Sequence, residues 1–515
     1  MSSKQTLSGR VILLAILIIA VFLACLKIDR PGLYYDELLF VNAATGAKTN
    51  IYVSTRIFGI PVLLMKYIGA LKSWIYFPIF SLLPVNAWTV RLPAILIGLA
   101  GALWLVTALW RSFGPATGIA GAVMILLDPT ILMHSRLDWG PNALMFFFRG
   151  LVVLAMMEWI RTRDHKWIWL AIISMMLGIF DKLNFIWFAF AATGALVLFY
   201  KDRLLDFAHT RPRHAALAGG LLSATLITAT IRAVHLAVHT DTTWSQRLPY
   251  AALLIRMTLC GGGALDFVSH FGLRVEQWFW SGYLPVIAVA LFGIRPLLRL
   301  PAQRRLNGWL ITLFSLVTAA FVLTKTATGT HHSSMLSGIW EMLLAPPIGA
   351  FWDNPAARRR LSRHIAAAGA LVLAAAGSAA SSLISINAFA QPVNLNWDIA
   401  NTKAAAFTNE RPGALFVSAD WGIGNILVAK AGDRSAVMDA WPVFTDPQKA
   451  DTFIKNLPEN KDVYIFTRMP EFENFRGNRT ILTNVLKKNH ISHEITATYT
   501  DWQNVPMIEI WKIRL

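Results

Sequence analysis

The sequence predicts an α-helical polytopic membrane protein with about eleven transmembrane helices, interfacial helices in its first outer loop and a C-terminal extracytoplasmic α/β domain. Of its 515 residues, 55% are hydrophobic and only 15% are charged, whereas a soluble globular protein is about 45–50% apolar and about 25% charged. This composition excludes an ordinary soluble enzyme. The net charge of +18 lies in the first 390 residues, because residues 391–515 carry equal numbers of acidic and basic side chains.

Apolar runs of roughly the ~20 residues that cross a bilayer define the predicted spans. The first run, residues 11–26, follows a basic start and fits either a signal peptide or a first transmembrane helix. No small-residue cleavage site follows it, so we interpret it as a retained helix. Ten further runs lie near residues 88–110, 117–133, 142–160, 167–180, 185–200, 214–238, 281–299, 308–324, 335–352 and 365–387.

Arginine-rich loops predict the orientation, because Lys and Arg beside membrane spans stay on the cytoplasmic side. Residues 161–163, 201–213, 295–305 and 358–363 are dense in Arg. They share one side if the N-terminus is cytoplasmic, and eleven crossings then place residues 391–515 outside. We therefore expect a transmembrane domain over residues 1–390, with a first outer loop at about 28–87, and a soluble extracytoplasmic domain over residues 391–515.

The C-terminal segment has the pattern of a small α/β domain. Residues 414–418 and 462–467 are apolar runs typical of buried strands, while residues 446–456 and 479–489 have a helical pattern. Between them, Gly422-Ile-Gly424 lacks the third glycine and the downstream acid of a dinucleotide site. We interpret this string as a structural turn in which Asp420 caps the helix that follows, with acceptor docking as the functional alternative.

The first outer loop contains the adjacent carboxylates Asp36 and Glu37, directly after the first predicted helix. Carboxylates at a membrane surface are costly to desolvate unless they are used or paired, which makes them candidate functional groups. The alternative is that they are solvated at the start of a helix, where acidic side chains are favourable. Further along, residues 58–74 combine Lys66, Lys72 and Trp74 with an apolar face, which predicts helices lying in the membrane interface.

Read together, these outer-loop residues resemble the GT-C superfamily of integral membrane glycosyltransferases, and within it the protein O-mannosyltransferases and lipid A aminoarabinose transferase. The resemblance covers about residues 10–350. It rests on Asp36-Glu37-x-x-Phe40, Tyr67-Ile-Gly-Ala-Leu71, Arg91-Leu-Pro-Ala-x-x-x-Gly98, Arg136-x-Asp138 and His331-His332. One departure is that Leu38 and Leu39 follow the acidic pair, where the aminoarabinose transferase pattern has a basic residue.

The resemblance implies an inverting transfer of a sugar, hexose or pentose, from a polyprenyl-phosphate donor to a lipid, glycan or protein hydroxyl outside a cell membrane, such as a bacterial inner membrane. An inverting displacement needs one carboxylate to take the acceptor's proton, and we assign this role to Asp36, with Glu37 orienting it or a sugar hydroxyl. Outer cations would hold the leaving phosphate. The expected phosphate ligands are Arg91, Lys182, Lys66 and Arg136, and the expected cavity residues are Tyr35, Asp138, His331 and His332.

Other readings of the same residues stay open. Arg91 and Arg136 at helix ends fit snorkelling to headgroups equally well, and Lys182 fits a local ion pair with Asp181. His331 and His332 fit a metal site, but adjacent helical residues project about 100° apart, so we predict polar cavity lining, no metal and no firm cofactor.

Competing classes are a transporter or flippase of lipid-linked sugars and a non-catalytic membrane scaffold. Membrane lipids are expected partners, and nucleic acid is not.

Overall fold

The computed structural model describes residues 3–46, 53–236, 243–261, 272–299, 301–325, 327, 329–353, 361–389, 397–432 and 435–515. The chain divides into two compact units. The first unit contains Met1–Leu26 and Leu92–Ile386, and the second contains Lys27–Arg91 and Asn387–Leu515. The first outer loop therefore belongs to the same unit as the C-terminal segment. The predicted boundary at residues 390–391 lies outside the described residues.

Helices make up most of the chain, and we number them in chain order. They are α1 (Ser3–Cys25), α2 (Tyr35–Thr45), α3 (Leu71–Leu82), α4 (Ala87–Phe113), α5 (Pro115–Gly121), α6 (Pro129–Arg136), α7 (Asn142–Thr162), α8 (His165–Asp181), α9 (Phe185–Thr210), α10 (Pro212–Leu236), α11 (Trp244–Leu259), α12 (Gly272–Leu298), α13 (Pro301–Leu323), α14 (Thr330–Ser333), α15 (Ile339–Asp353), α16 (Leu361–Phe389), α17 (Ile399–Ala406), α18 (Gly424–Ala431), α19 (Pro447–Lys455) and α20 (Asn478–Lys488). The strands are β1 (Thr55–Ile57), β2 (Ile60–Met65), β3 (Ile68–Gly69), β4 (Leu415–Ser418), β5 (Ala436–Asp439), β6 (Val463–Arg468), β7 (Ser492–Thr500) and β8 (Pro506–Arg514).

The helices long and apolar enough to cross a membrane number eight within the described residues: α1, α4, α7, α9, α10, α12, α13 and α16. A ninth candidate is the segment from α5 to α6, which bends by 51°. The other two predicted spans, near 167–180 and 335–352, form α8 and α15, of 17 and 15 residues. The prediction of a multi-pass helical membrane protein is confirmed, while the count of eleven crossings stays a prediction.

The bend before α6 has a local cause. A π-helical turn over Ala122–Leu126 ends α5, and Pro129 then begins a new helix. Asp128 caps that helix, since its carboxylate accepts a hydrogen bond from the backbone N–H of Thr130 at 2.9 Å. Proline at the first helical position after an Asp cap is a typical helix start, so α6 has a defined beginning.

The second unit contains a five-stranded sheet of order β5-β4-β6-β8-β7. Strands β5, β4 and β6 are parallel, and β8 and β7 are antiparallel to their neighbours. The predicted strands at 414–418 and 462–467 are β4 and β6, and the predicted helices at 446–456 and 479–489 are α19 and α20. The α/β prediction for this segment is therefore confirmed at the level of its elements.

The prediction of interfacial helices over residues 58–74 is wrong for its first part. Residues 55–69 form a three-stranded antiparallel sheet, β1-β2-β3, and a helix begins only at Leu71. Phe58 and Gly59 have φ values of +50° and +80°, which is the conformation of a tight hairpin turn. A short apolar run such as 60–65 fits strand or helix periodicity equally well, and here the turn decides for strands.

A buried ion pair joins two parts of the second unit that are far apart in sequence. The Nε and Nη2 atoms of Arg91 donate to the two carboxylate oxygens of Glu37 at 2.8 and 2.9 Å. Both side chains are at most 1% exposed. Glu37 also accepts from the backbone N–H of Tyr34 at 2.8 Å, so one carboxylate caps α2 and binds Arg91.

The remaining donors of Arg91 are used as well. Its Nη1 donates to the carbonyls of Ile28 and Pro31, and its Nη2 also donates to the carbonyl of Gly32. A guanidinium has five N–H donors, and all five are thus accounted for inside the second unit. Arg91 therefore holds in place both the turn before α2 and the first residues of α2.

We predict that Glu37→Gln and Arg91→Lys each destabilise the protein strongly. Removing one partner of a buried ion pair typically costs about 3–5 kcal/mol, and lysine does not reproduce the forked geometry of arginine. The measurement is the thermal unfolding of the purified protein in detergent. Glu494→Gln is the control, because the Arg514–Glu494 pair is exposed and exposed pairs contribute little. Melting temperatures that fall no further than in the control would contradict the prediction.

Candidate functional site

Helix α2 presents Asp36 differently from its two neighbours. Tyr35 and Glu37 are buried, while Asp36 is only half-buried. Its carboxylate lies close enough to Tyr67 to influence that phenol: burial and the charge of Asp36 both raise the pKa of Tyr67. Tyr67 is 46% exposed, so Asp36 stands at an edge of the second unit that solvent reaches.

The position of Asp36 depends on contacts made by the residues around it on α2. The hydroxyl of Tyr35 donates to Asp439 at the end of β5 at 2.9 Å, and the Asn425 side chain donates to the Tyr35 carbonyl at 3.0 Å. Asn42 donates to the Asn425 carbonyl at 2.9 Å. These bonds fasten α2 to α18 and to the carboxyl end of the parallel strands. Tyr35, predicted as a cavity residue, therefore has a positioning role visible in the structure.

The string 418–425 forms a turn at the same end of the sheet. The Asp420 carboxylate accepts from the backbone N–H groups of Trp421, Asn474 and Phe475 at 2.8, 2.9 and 3.3 Å. Helix α18 begins later, at Gly424, so Asp420 stabilises a turn and does not cap that helix. Half-buried Trp421 packs on Tyr35, with ring centroids 5.0 Å apart. Lys66 lies in the hairpin between β2 and β3 and is exposed.

In the first unit, predicted site residues from separate segments meet in one cluster around Lys182. We call this the Lys182 cluster, and its members are His134, Trp139, Asn142, Lys182, His331 and His332. Lys182 is 3% exposed, and its Nζ donates to the side-chain oxygen of Asn142 at 3.5 Å. The Asn142 amide in turn lies 3.3 Å from Nδ1 of His134. Gly140 also lies beside Lys182, since a Cβ at position 140 would be 3.4 Å from the ammonium, an ordinary contact distance.

The two histidines of the predicted cavity complete the cluster. The ring centroids of His331 and His332 are 3.9 Å apart, and Trp139 packs on His331 at 4.0 Å. Burial, His332 and the Lys182 ammonium hold the pKa of His331 well below its usual range, and burial and Lys182 do the same for the pKa of His332. Both imidazoles are therefore neutral at pH 7, and each can donate one hydrogen bond and accept another. Neither Nδ1 atom has a hydrogen-bond partner within the described residues.

Two other predicted residues have contacts that position the chain. Arg136 is fully buried and donates to the carbonyls of Leu26 and Ala24 at the end of α1. Asp138 is 2% exposed, and its carboxylate accepts from the backbone N–H of Ala143 at 2.9 Å, at the start of α7. These bonds join α1, α6 and α7 and define the loop that carries Trp139 and leads to Asn142 at the start of α7.

The geometry adds residues that the sequence patterns did not single out. Asn142 and Trp139 belong to the Lys182 cluster, and Asp439 and Asn425 fix α2. Only the Trp-Gly-Pro turn before Asn142 could have drawn attention to it. The described residues contain no group of three or more His, Cys, Asp and Glu side chains that could hold a metal ion.

Comparison with known proteins identifies related chains and folds. Residues 69–229 match the family model of dolichyl-phosphate-mannose-protein mannosyltransferases. No protein of curated function matches the sequence. Solved ArnT from Cupriavidus metallidurans is similar over 99% of this chain and 98% of its own, both bound to undecaprenyl phosphate (TM-score 0.59, 13% identity) and in the apo state (TM-score 0.58, 14% identity).

A second similar structure is the archaeal oligosaccharyltransferase AglB from Archaeoglobus fulgidus, in complex with an inhibitory peptide and a dolichol-phosphate. It matches 94% of this chain and 73% of its own, with a TM-score of 0.51 and 13% identity. At these identities the likeness concerns the fold. The family-model match over residues 69–229 and the shared fold agree with the resemblance to GT-C glycosyltransferases that the ordered outer-loop residues indicate.

Proposed function

We propose that this protein is a membrane glycosyltransferase that moves a sugar from a polyprenyl-phosphate donor to an acceptor hydroxyl on the extracytoplasmic face. The observation that carries the proposal is a half-buried carboxylate, Asp36, on a helix whose start is held by a fully buried ion pair. Support comes from the ArnT and AglB structures, which hold undecaprenyl phosphate and dolichol-phosphate. The acceptor class is a lipid, a glycan or a protein.

Asp36 is the proposed general base. The acceptor oxygen attacks the anomeric carbon, its proton passes to the Asp36 carboxylate, and the bond from the anomeric carbon to the phosphate oxygen breaks. Attack from the face opposite the phosphate inverts the anomeric configuration. Because phosphate leaves readily as an anion, the protein needs cations and hydrogen-bond donors there more than a general acid. Glu37 acts on Asp36 indirectly, since its own oxygens bind Arg91 and the start of α2.

The proposed phosphate ligands are Lys182 and the neutral histidines beside it. Lys182 supplies positive charge, and an imidazole N–H of His331 or His332 donates to a phosphate oxygen without adding charge. Lys66 is exposed on its hairpin and remains a candidate for the same ligand. We assign Arg91 to positioning α2, because its five donors already have acceptors, and we assign Arg136 to anchoring α6 on the end of α1.

We propose a cytoplasmic N-terminus and an extracytoplasmic position for the C-terminal sheet, in a cell membrane such as a bacterial inner membrane. The basic loops between the membrane helices support this orientation. A periplasmic reporter fused after Leu515 should be active, and a cytoplasmic reporter at the same position should be inactive. The opposite pattern would overturn the orientation and with it the face assigned to the reaction.

For Asp36 we predict that Asp36→Asn abolishes sugar transfer while leaving folding and donor binding near normal. Asparagine has the same shape but cannot accept the proton, and loss of a general base typically costs about 10²–10⁴-fold in rate. The measurement is transfer from defined radiolabelled polyprenyl-phosphate sugars by purified protein, with mass spectrometry of the product.

The matched control for this experiment is Asp29→Asn, an exposed carboxylate seven residues earlier in the same loop. It should retain wild-type turnover. If Asp36→Asn turned over at more than roughly a tenth of the wild-type rate, above what loss of a general base allows, Asp36 would not be the base.

For Lys182 we predict that Lys182→Met weakens binding of the polyprenyl-phosphate lipid about tenfold or more. A hydrogen bond to a charged group contributes about 1.5–3 kcal/mol, and every 1.4 kcal/mol is tenfold in affinity. Binding of the lipid to protein in nanodiscs measures this directly. The exposed Lys201 provides the control variant Lys201→Met. Equal lipid affinity in Lys182→Met and wild type would remove Lys182 from the phosphate site.

A further inference from the structure

An apolar cavity lies between helices α7, α8, α9 and α10 of the first unit, apart from the residues proposed for catalysis. Its volume is about 240 Å³, below the about 300–1,000 Å³ of sites that hold a whole drug-sized ligand, so it has room for part of a ligand. Nearly all of its lining is aliphatic or aromatic, including Met156, Ile172, Leu196, Phe207 and Leu222. An apolar cavity between membrane helices fits a hydrocarbon chain.

A basic pocket adjoins this cavity at the ends of the same helices. The two share Trp159 and Phe207, and the second pocket is lined by Arg163, Arg203 and Arg211 with a single carboxylate, Asp206. Three guanidinium groups thus face one carboxylate. Arg163 binds Asp206 at 2.8 Å, and the buried Nε of Arg203 has no hydrogen-bond acceptor within the described residues. The pocket therefore has a net positive charge and donors to offer an anion.

Helix α9 is broken three residues before Arg203. Tyr200 has non-helical backbone angles, φ −136° and ψ 25°, so α9 is kinked there. The segment after the kink carries Arg203 and Asp206 into the basic pocket, while its Leu204 and Phe207 line the apolar cavity. One short segment therefore contributes to both: Arg203 and Asp206 line the basic pocket, Leu204 lines the apolar cavity, and Phe207 lines both.

From this pairing of an apolar cavity with a basic mouth, we infer that the protein binds one anionic phospholipid here, with an acyl chain in the cavity and its phosphate against the arginines. Guanidinium groups match phosphate oxygens in geometry and charge. Basic pockets between transmembrane helices on the cytoplasmic side bind anionic headgroups in this way. The inference concerns a site separate from Asp36 and the Lys182 cluster and does not rest on the proposed reaction.

The experiment uses the full chain purified in detergent, with dioleoylphosphatidylglycerol as the anionic probe and dioleoylphosphatidylcholine as the zwitterionic comparison. Native mass spectrometry counts bound lipids, and thermal unfolding measures stabilisation. Wild-type protein should bind one phosphatidylglycerol and be stabilised by it more than by phosphatidylcholine. Equal binding and equal stabilisation by the two lipids would overturn the inference.

Two triple variants test the headgroup contact. Arg163→Gln/Arg203→Gln/Arg211→Gln should weaken phosphatidylglycerol binding about tenfold or more, since each basic residue contributes about fivefold. Arg295→Gln/Arg299→Gln/Arg304→Gln removes three exposed arginines elsewhere and should leave binding unchanged. The inference is wrong if the first triple variant binds like wild type or like the second triple.

The cavity itself offers a matched pair of glycines on α10. A Cβ at Gly219 or Gly220 would meet no atom within 4 Å, but only Gly219 lines the cavity. Gly219→Phe should therefore fold and block phosphatidylglycerol binding, while Gly220→Phe should fold and bind it. Equal binding by the two variants overturns the chain site. Full competition by glycerol phosphate, which has no acyl chain, or stronger stabilisation by undecaprenyl phosphate overturns the assignment of the occupant.

Discussion

The buried Glu37–Arg91 ion pair is the interaction on which the candidate site of the second unit depends. It brings together the turn at residues 28–32, the first turn of α2 and the start of α4, through one carboxylate and one guanidinium. Taking both charges out of water is costly, and the cost is offset only because every donor of Arg91 has an acceptor. The result is a fixed start for α2. Asp36 lies in this first turn between two buried neighbours, and its own side chain is only half-buried.

The buried cations of the first unit have different kinds of partner, and these partners indicate different roles. Arg136 donates to carbonyls of α1, and Arg247 donates to the carbonyls of Phe321, Val322 and Ala327. Both arginines satisfy backbone groups where helices end inside the membrane protein. Lys182 lies instead among side chains, with Asn142 at 3.5 Å and two neutral histidines nearby. An ammonium surrounded by side chains agrees with the phosphate role proposed for Lys182, whereas all three guanidinium nitrogens of Arg247 donate to backbone carbonyls.

The candidate site was only partly visible in the sequence. Asp36, Lys182, His331 and His332 are predicted from residue type, from their position beside predicted helices and from the family resemblance, and their roles stay predictions. Arg91 is predicted to bind phosphate because it is a cation at the outer end of a predicted helix. That position does not reveal which groups surround the guanidinium in the folded protein. Asn142, Asn425 and Asp439 have no distinguishing local pattern. Their roles arise from contacts with residues that are 40 to 404 positions away in the chain, and no local window contains such contacts.

The sequence alone predicts a multi-pass membrane protein with an α/β segment at its C-terminus. Both conclusions follow from hydrophobic periodicity and length, which are local properties that the bilayer and a sheet impose on any sequence. The folded structure shows that the first outer loop and the C-terminal segment form one compact unit, and that residues 55–69 pair as strands. It also decided which cations are bound to backbone. The strand pairing depends on the turn at Phe58 and Gly59. The other two depend on burial and pairing across distant segments, which exist only in the folded chain.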